Sequence, residues 1–149
     1  MLKEKVLVGG EESGGISVFS HIPERDGIWI GILIWQFIAE TGKLLSQLLE
    51  EVYAITGPFA FERADIPVEK YRRNSIIERC RNGQFQKLGN RRVQRVETLD
   101  GFKFFFNDDE WFMIRSSGTE PVLRIYAESG DLVSAREIIN DAREVIMSL

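Results

Sequence analysis

A seven-residue stretch, RSSGTEP at positions 115–121, combines side chains that can bind a phosphate monoester. Arg115 offers a planar fork of N–H donors that matches two phosphate oxygens. Ser117 and Thr119 add hydroxyl donors, and Gly118 allows backbone conformations in which consecutive N–H groups converge on an anion. On this stretch alone, a polar turn that happens to contain an arginine is the simpler explanation. Features elsewhere in the chain are needed to choose between a phosphate-binding loop and a polar turn.

A second polar loop, GGEESGG at positions 9–15, has the side chains to bind a sugar. The Glu11 carboxylate and the Ser13 hydroxyl can hydrogen-bond vicinal sugar hydroxyls, and the flanking glycines let the backbone come close. A flexible acidic turn is the alternative for this loop. The single histidine, His21, follows shortly afterwards, and an isolated histidine is more often a structural hydrogen-bonding group than an acid or base.

Composition narrows the class of protein. The 149 residues suffice for one domain, or for a small domain and a piece of another, and the hydrophobic content of 44% supports a packed core. A net charge of −4 argues against a nucleic-acid partner. The lone cysteine, Cys80, suits a reducing compartment.

The first residues do not resemble a signal peptide, and the apolar run 28–39 is too short to cross a membrane. We therefore expect a cytoplasmic protein without a membrane partner.

The first part of the chain predicts one strand and two helices. Residues 5–8 form the strand, and the loop 9–15 follows it. A helix over 27–40, with Asp26 as its N-cap, is apolar on all sides and should therefore be buried on all sides. A second helix over 44–53 ends before Thr56-Gly57-Pro58, which we take as the boundary between residues 1–56 and 57–149.

The second part predicts the order β-α-β-β-β-β-α. Its clearest signal is Asp100-Gly101 between two β-rich runs, which is typical of a two-residue hairpin turn. Asp131 can cap a final helix that has one apolar stripe. The remaining predicted elements are strands at 59–64, 93–99, 102–106, 111–114 and 122–128, and a helix that begins near Pro67 and ends at Asn82-Gly83. This is an α+β fold, with a mostly antiparallel sheet of four to five strands and two helices on one face.

With these elements placed, the sequence resembles the α-D-phosphohexomutases, the phosphoglucomutase and phosphomannomutase family. Residues 10–15 are similar to the sugar-selecting loop of the family's third domain, and residues 21–27 to the segment that follows it. Residues 115–121 are similar to the phosphate-binding loop of the fourth domain. The resemblance implies that residues 1–56 are an incomplete α/β piece of the third domain and that residues 57–149 are the C-terminal phosphate-binding domain.

The resemblance also implies a reaction, the interconversion of hexose 1-phosphate and hexose 6-phosphate through a bisphosphorylated sugar. The family uses a phosphoserine and Mg²⁺, but no stretch of this chain resembles the loops that carry them. We therefore expect no catalytic residue and no metal ligand in this chain, and no turnover by it alone. The expected partners are a phosphosugar and the N-terminal domains of the mutase. The alternative is a stand-alone phosphate-binding or phosphosugar-binding interaction module without catalysis.

The resemblance assigns roles to individual residues. Arg115, Ser117, Gly118 and Thr119 would hold the phosphate that does not react, with Arg124 as a weaker candidate. The sugar-binding candidates are Glu11 and Ser13. Some relatives carry a histidine directly after the Ser-Gly of the sugar loop, where this chain has Gly15. His21 could replace it, so the choice between glucose and mannose stays open.

The apolar helix over 27–40 also carries an expectation about assembly. An uncovered face with Trp29, Ile32, Trp35 or Phe37 would be an association patch. We therefore predict either self-association or disorder of the first part of the chain, while the second part folds well.

Overall fold

The computed structural model describes residues 6–11, 14–19 and 21–148. These residues form two compact units, Met1–Val52 and Tyr53–Leu149.

Unit 1 begins with a short antiparallel hairpin of β1 (Val8–Gly10) and β2 (Ile16–Val18). Residue 5 of the predicted strand at 5–8 lies outside the described residues, and the strand that the structure shows begins at Val8 and continues through both glycines. Gly9 pairs with Ser17 and Gly10 with Ile16. Two glycines give no alternating side-chain pattern from which a strand could be predicted.

Helix α1 (Gly27–Thr41) has the predicted N-terminus. The Asp26 carboxylate accepts hydrogen bonds from the backbone N–H groups of Ile28, at 3.1 Å, and Trp29, at 3.0 Å. Gly42 ends the helix with a φ of 65°, and its N–H donates to the Ile38 carbonyl. The predicted ends of α1 are thus confirmed within a residue.

The prediction that α1 is buried on all sides is wrong for the described chain. None of its residues is buried, and Ile28 and Trp35 are 82% and 80% exposed. No described element covers these apolar side chains. Helix α2 (Leu45–Thr56) follows. No single helix in the described ranges is long and apolar enough to cross a membrane. Helices α1 and α2 have the necessary length and apolarity only when they are taken together, and a sharp bend separates them.

In chain order the elements of unit 2 are β3 (Ala60–Pro67), α3 (Lys70–Arg81), β4 (Lys87–Leu88), β5 (Arg91–Arg92), β6 (Arg95–Glu97), β7 (Phe102–Phe105), β8 (Trp111–Ser116), β9 (Val122–Ser129) and α4 (Leu132–Ser148). Five of the strands form one sheet in the order β3-β9-β8-β7-β6, in which all neighbouring strands are antiparallel. This confirms the predicted α+β fold. Strands β4 and β5 form an additional small hairpin that the sequence does not predict.

One face of the sheet and both helices form the core of unit 2. Alternate side chains of the central strands β8 and β9 are fully buried there, as period-2 patterning requires. They pack with Ile76 and Cys80 of α3 and with the predicted stripe of α4. On this face the fully buried apolar residues of β8 and β9 are Phe112, Ile114, Leu123, Ile125 and Ala127. Because the core takes every second residue, the intervening side chains lie on the opposite face, which we call the open face.

Two turns differ from their predictions. Pro67 ends β3, paired with Val122, and does not begin α3; β3 is an edge strand, where a missing N–H is tolerated. The hairpin between β6 and β7 is longer than two residues, because residues 98–102 lie between Glu97 and its partner Lys103. Only Gly101 of this turn has a positive φ, 102°.

Candidate functional site

The phosphate-loop candidate is the connection between β8 and β9. Arg115 lies in β8, next to the end of the strand, and the chain returns to the sheet at Val122. The Ser117 N–H donates to the Val122 carbonyl at 3.2 Å, and the Glu120 N–H donates to the Ser117 hydroxyl oxygen at 3.2 Å. The Ser117 residue is 7% exposed. Ser117 therefore shapes the loop internally and still has a hydroxyl hydrogen to donate.

Two backbone donors of this loop stay available. The N–H groups of Gly118 and Thr119 donate to no hydrogen bond within the described part of the chain. Both residues are exposed. Gly118 has no positive φ and a Cβ there would meet no atom within 4 Å, so the described structure does not itself require a glycine at this position. Two adjacent free N–H groups are nevertheless what an anion needs.

Two arginines stand opposite each other beside this loop. Arg115 and Arg124 are cross-strand partners on the open face of the sheet. Like charges directly opposite each other on neighbouring strands destabilise a sheet, so each arginine needs a negative partner. Arg115 Nη1 lies 3.2 Å from Asp100 Oδ2, and Arg124 Nη2 lies 3.3 Å from Glu120 Oε2. The Nε atom of Arg124 is buried without a hydrogen-bond partner in the described residues.

The far end of the loop is held by the start of α3 and the residues before it. The Val68 N–H donates to the Pro121 carbonyl at 3.2 Å, and Arg73 Nη1 donates to the Glu120 carbonyl at 3.3 Å. Arg73 could not be singled out from the sequence, because one arginine in a polar helix resembles any solvated side chain. Arg115 near the end of β8 and Ser117, Gly118 and Thr119 in the connection thus lie in one short stretch, with Arg124 beside them.

The sugar-loop candidate joins β1 and β2 in unit 1. The Glu11 N–H donates to the Gly15 carbonyl at 2.9 Å, and Gly14 adopts a φ of 87°. Ser13 lies outside the described residues, so its predicted role has no structural counterpart here. The Glu11 carboxylate lines an open cavity of about 310 Å³ together with Ser17 and Arg25. The loop therefore presents one of its two predicted sugar ligands at a cavity.

Arg25 is a residue that the sequence reasoning missed. Its Nη1 atom lies 2.7 Å from Glu11 Oε2, and hydrogen bonds from Arg25 to Glu11 and Glu24 raise the pKa of the guanidinium. A Cβ on Gly15 would lie 2.6 Å from Arg25 Cδ, so a small residue there lets the arginine reach Glu11. The signal available in the sequence was the opposite charge of Glu11 and Arg25.

His21 is engaged at the start of α1. Its Nε2 atom lies 2.8 Å from Asp26 Oδ2, and its ring stacks on Trp29 with centroids 4.7 Å apart. The N–H of Trp29 and then the His21 ring hold the pKa of the Asp26 carboxyl below its usual value. These contacts fit the structural role expected of a lone histidine. They give no support to a role beside the sugar loop.

The described residues contain no set of metal ligands: no group of three or more histidine, cysteine or acidic side chains is placed to hold an ion. The acidic turn at Asp108 and Asp109 is organised by Asn107, whose side-chain oxygen accepts from the N–H groups of Asp109 and Glu110, each at 2.8 Å. The side chains that the structure describes therefore do not fit Mg²⁺.

Comparison with protein families matches both units. Residues 1–55 match the family model described as "Phosphoglucomutase/phosphomannomutase, alpha/beta/alpha domain III". Residues 78–145 match the model described as "Phosphoglucomutase/phosphomannomutase, C-terminal domain". The two models belong to one family and follow each other in the predicted order. Together they cover more than half of the chain.

Individual relatives agree with these matches. The chain is 30% identical to a phosphoglucomutase/phosphomannomutase of Thermococcus kodakarensis over 93% of its own length and 28% of the relative's. It is 28% identical to a phosphoglucosamine mutase of Carboxydothermus hydrogenoformans over 100% of its own length and 29% of the relative's. The chain therefore spans less than a third of the length of these relatives.

A solved structure supports the fold. A phosphoglucomutase/phosphomannomutase family protein from Burkholderia thailandensis matches 95% of this chain and 28% of its own, with a TM-score of 0.66 and 19% identity. The fold, the order of the two loops and the two family models agree. The chain belongs to the phosphoglucomutase/phosphomannomutase family, of which it carries the C-terminal portion.

Proposed function

We propose that this chain is the C-terminal, substrate-binding part of a phosphohexomutase that interconverts hexose 1-phosphate and hexose 6-phosphate through a bisphosphorylated sugar. One observation carries the proposal: Arg115 near the end of β8 is followed by a hairpin connection that holds the buried Ser117 and the free N–H groups of Gly118 and Thr119. These groups bind the phosphate that does not react. Arg115 is then a positioning residue, since phosphoryl transfer depends on positioning as well as on charge neutralisation.

We assign the binding of the sugar hydroxyls to unit 1. Glu11 accepts hydrogen bonds from the sugar hydroxyls, and Ser13 remains a predicted ligand beside it. The ion pair between Glu11 and Arg25 orients the carboxylate at the mouth of the cavity. The hexose is glucose, mannose or, as the names of several relatives suggest, glucosamine.

Catalysis belongs to the part of the parent enzyme that lies outside this chain. There we assign the phosphorylated serine and the Mg²⁺ ion, and we expect no mutase turnover from these 149 residues alone. The parent enzyme acts in the cytoplasm. The exposed apolar side chains of α1, among them Ile28, Ile32 and Trp35, fit a surface that the remaining domains cover.

Titration of the full 149-residue chain with glucose 6-phosphate tests the phosphate site. Amide chemical shifts of Gly118 and Thr119 should move with millimolar ligand, because one cradle is only a fraction of a complete active site. Glucose without phosphate should leave both signals in place. Arg115→Ala should abolish the response, since it removes the guanidinium fork.

Arg95→Ala is the matched control. Arg95 lies on the open face of the same sheet and pairs with Glu97, so its loss removes the same charge elsewhere. An unchanged response in Arg115→Ala, or shifts confined to other residues, would contradict the proposed function. If this chain alone binds glucose 6-phosphate as tightly as a complete phosphosugar site would, the alternative of a stand-alone phosphosugar-binding module is favoured.

A further inference from the structure

The Arg115 guanidinium is already engaged by a carboxylate of its own chain. Asp100 reaches it from the turn between β6 and β7, with a single contact of 3.2 Å between Nη1 and Oδ2. The two side chains are 37% and 67% exposed. An incoming anion from solvent would therefore approach the same donors that Asp100 occupies.

The position of Asp100 is set by its neighbour. Gly101, with a φ of 102°, brings the turn so close to β8 that a Cβ would lie 2.8 Å from the Ile114 carbonyl oxygen and 3.2 Å from Arg115 Cβ. The tip of the turn is otherwise free, since Leu99 is 100% exposed. The turn thus fixes the backbone beside Arg115, while the Asp100 side chain can still swing away into water.

Both arginines of the open face beside the loop are paired with a carboxylate in the absence of a ligand. Arg115 is paired with Asp100, and Arg124 with Glu120. A phosphate monoester carries up to two negative charges, so it gains from both arginines and is repelled by both carboxylates. Exposed ion pairs of this kind are weak, which means that a well-matched phosphate can break one.

We propose that Asp100 sets the affinity of the anion site: its carboxylate occupies the Arg115 guanidinium when no phosphate is bound, and a phosphate monoester must displace it. The inference rests on the proposed function, because it assumes that Arg115 binds phosphate. Asp100 is a positioning residue that touches no substrate. Its removal should strengthen binding, whereas loss of a residue that merely supports Arg115 should weaken it.

The test compares the dissociation constant of glucose 6-phosphate for the unmodified full chain and for three variants, read from the Gly118 and Thr119 amide shifts. Asp100→Asn should bind about three- to tenfold more tightly, because competition and repulsion both disappear. Asp100→Glu keeps the competing charge and should stay close to the unmodified chain. Glu97→Gln removes the same charge from the neighbouring strand, where Glu97 pairs with Arg95, and should also change little.

A measurement on the unmodified chain complements the variants. The side-chain carboxyl carbon signal of Asp100 should shift as phosphate saturates the site, because the carboxylate moves from the guanidinium into water. Binding by Asp100→Asn that is equal or weaker, or an Asp100 signal that stays fixed at saturation, would overturn the inference. If Arg115→Ala binds as well as the unmodified chain, the proposed function itself fails, so the two failures are distinguishable.

Discussion

Gly118 lies in the phosphate loop and Gly101 in the turn beside β8, and replacing each by alanine should have different consequences. Gly101 has a φ of 102°, and an added Cβ would lie 2.8 Å from a backbone oxygen, that of Ile114. Gly118 has no positive φ, and an added Cβ would meet nothing within 4 Å. The same chemical change therefore tests conformation and packing at one position and ligand access at the other.

The cost at Gly101 has two parts. A positive φ costs a residue with a Cβ about 1–2 kcal/mol, and forcing the methyl group against β8 costs about 1–3 kcal/mol more. Gly101→Ala should therefore destabilise unit 2 by about 2–5 kcal/mol, which lowers the melting temperature of a domain of this size by about 10 °C or more. Gly118→Ala should change the free energy of unfolding by no more than about 0.5 kcal/mol.

Thermal unfolding of both variants, followed by amide signals of the five-stranded sheet, measures these differences. Gly118→Ala should also bind glucose 6-phosphate more weakly, because the methyl group stands beside the N–H groups that we assign to the phosphate. Equal stability of Gly101→Ala and the unmodified chain would refute the reasoning about the turn. A large loss of stability in Gly118→Ala would refute the claim that this glycine is free of structural constraint.

Three further predictions concern other parts of the chain. Trp35→Ser should reduce self-association of the full chain in sedimentation experiments, because Trp35 is an 80% exposed apolar side chain on α1; unchanged association would exclude this face. Burial raises the pKa of Cys80 to about 12, so the thiol should resist alkylation at pH 8 until denaturant unfolds unit 2, and fast labelling of the folded chain would contradict its burial. Hydrogen bonds from Arg63 lower the pKa of Asp65, so the stabilisation by this pair is complete above the unfolded-state pKa and disappears as the pH falls through the folded-state pKa. Asp65→Asn should therefore flatten the loss of stability in acid, measured by urea unfolding from about pH 5 downward. An unchanged pH dependence would exclude the pair as the source of that loss.

The parts of the fold that depend on local chemistry were predictable. Asp26 and Asp131 cap helices as expected, the latter by accepting from the Ser134 N–H at 2.9 Å. The alternation of Leu123, Ile125 and Ala127 along β9 is a local pattern that places these three residues on one face of the sheet. Glycine and proline misled where tertiary pairing decides: Gly9 and Gly10 pair as a strand, and Pro67 ends one.

The site was predictable in its residue types and not in its pairing. The sequence placed Arg115, Ser117 and Thr119 in one loop, because they are close in the chain. The Asp100 contact depends on the register of β7 against β8, which sets Phe102 opposite Ile114. The Glu11–Arg25 ion pair spans 14 positions and depends on the β1–β2 hairpin. Both ion pairs depend on how strands pair, and no local sequence pattern predicts them.

The central claim is that the loop from Arg115 to Thr119 binds the phosphate group of a sugar phosphate. A crystal of the chain soaked in glucose 6-phosphate tests it most directly. The account predicts a phosphate with oxygens about 2.7–3.2 Å from the Arg115 guanidinium and from the N–H groups of Gly118 and Thr119, with Asp100 turned away. A phosphate bound elsewhere on the chain, with the Arg115–Asp100 pair intact, would contradict it.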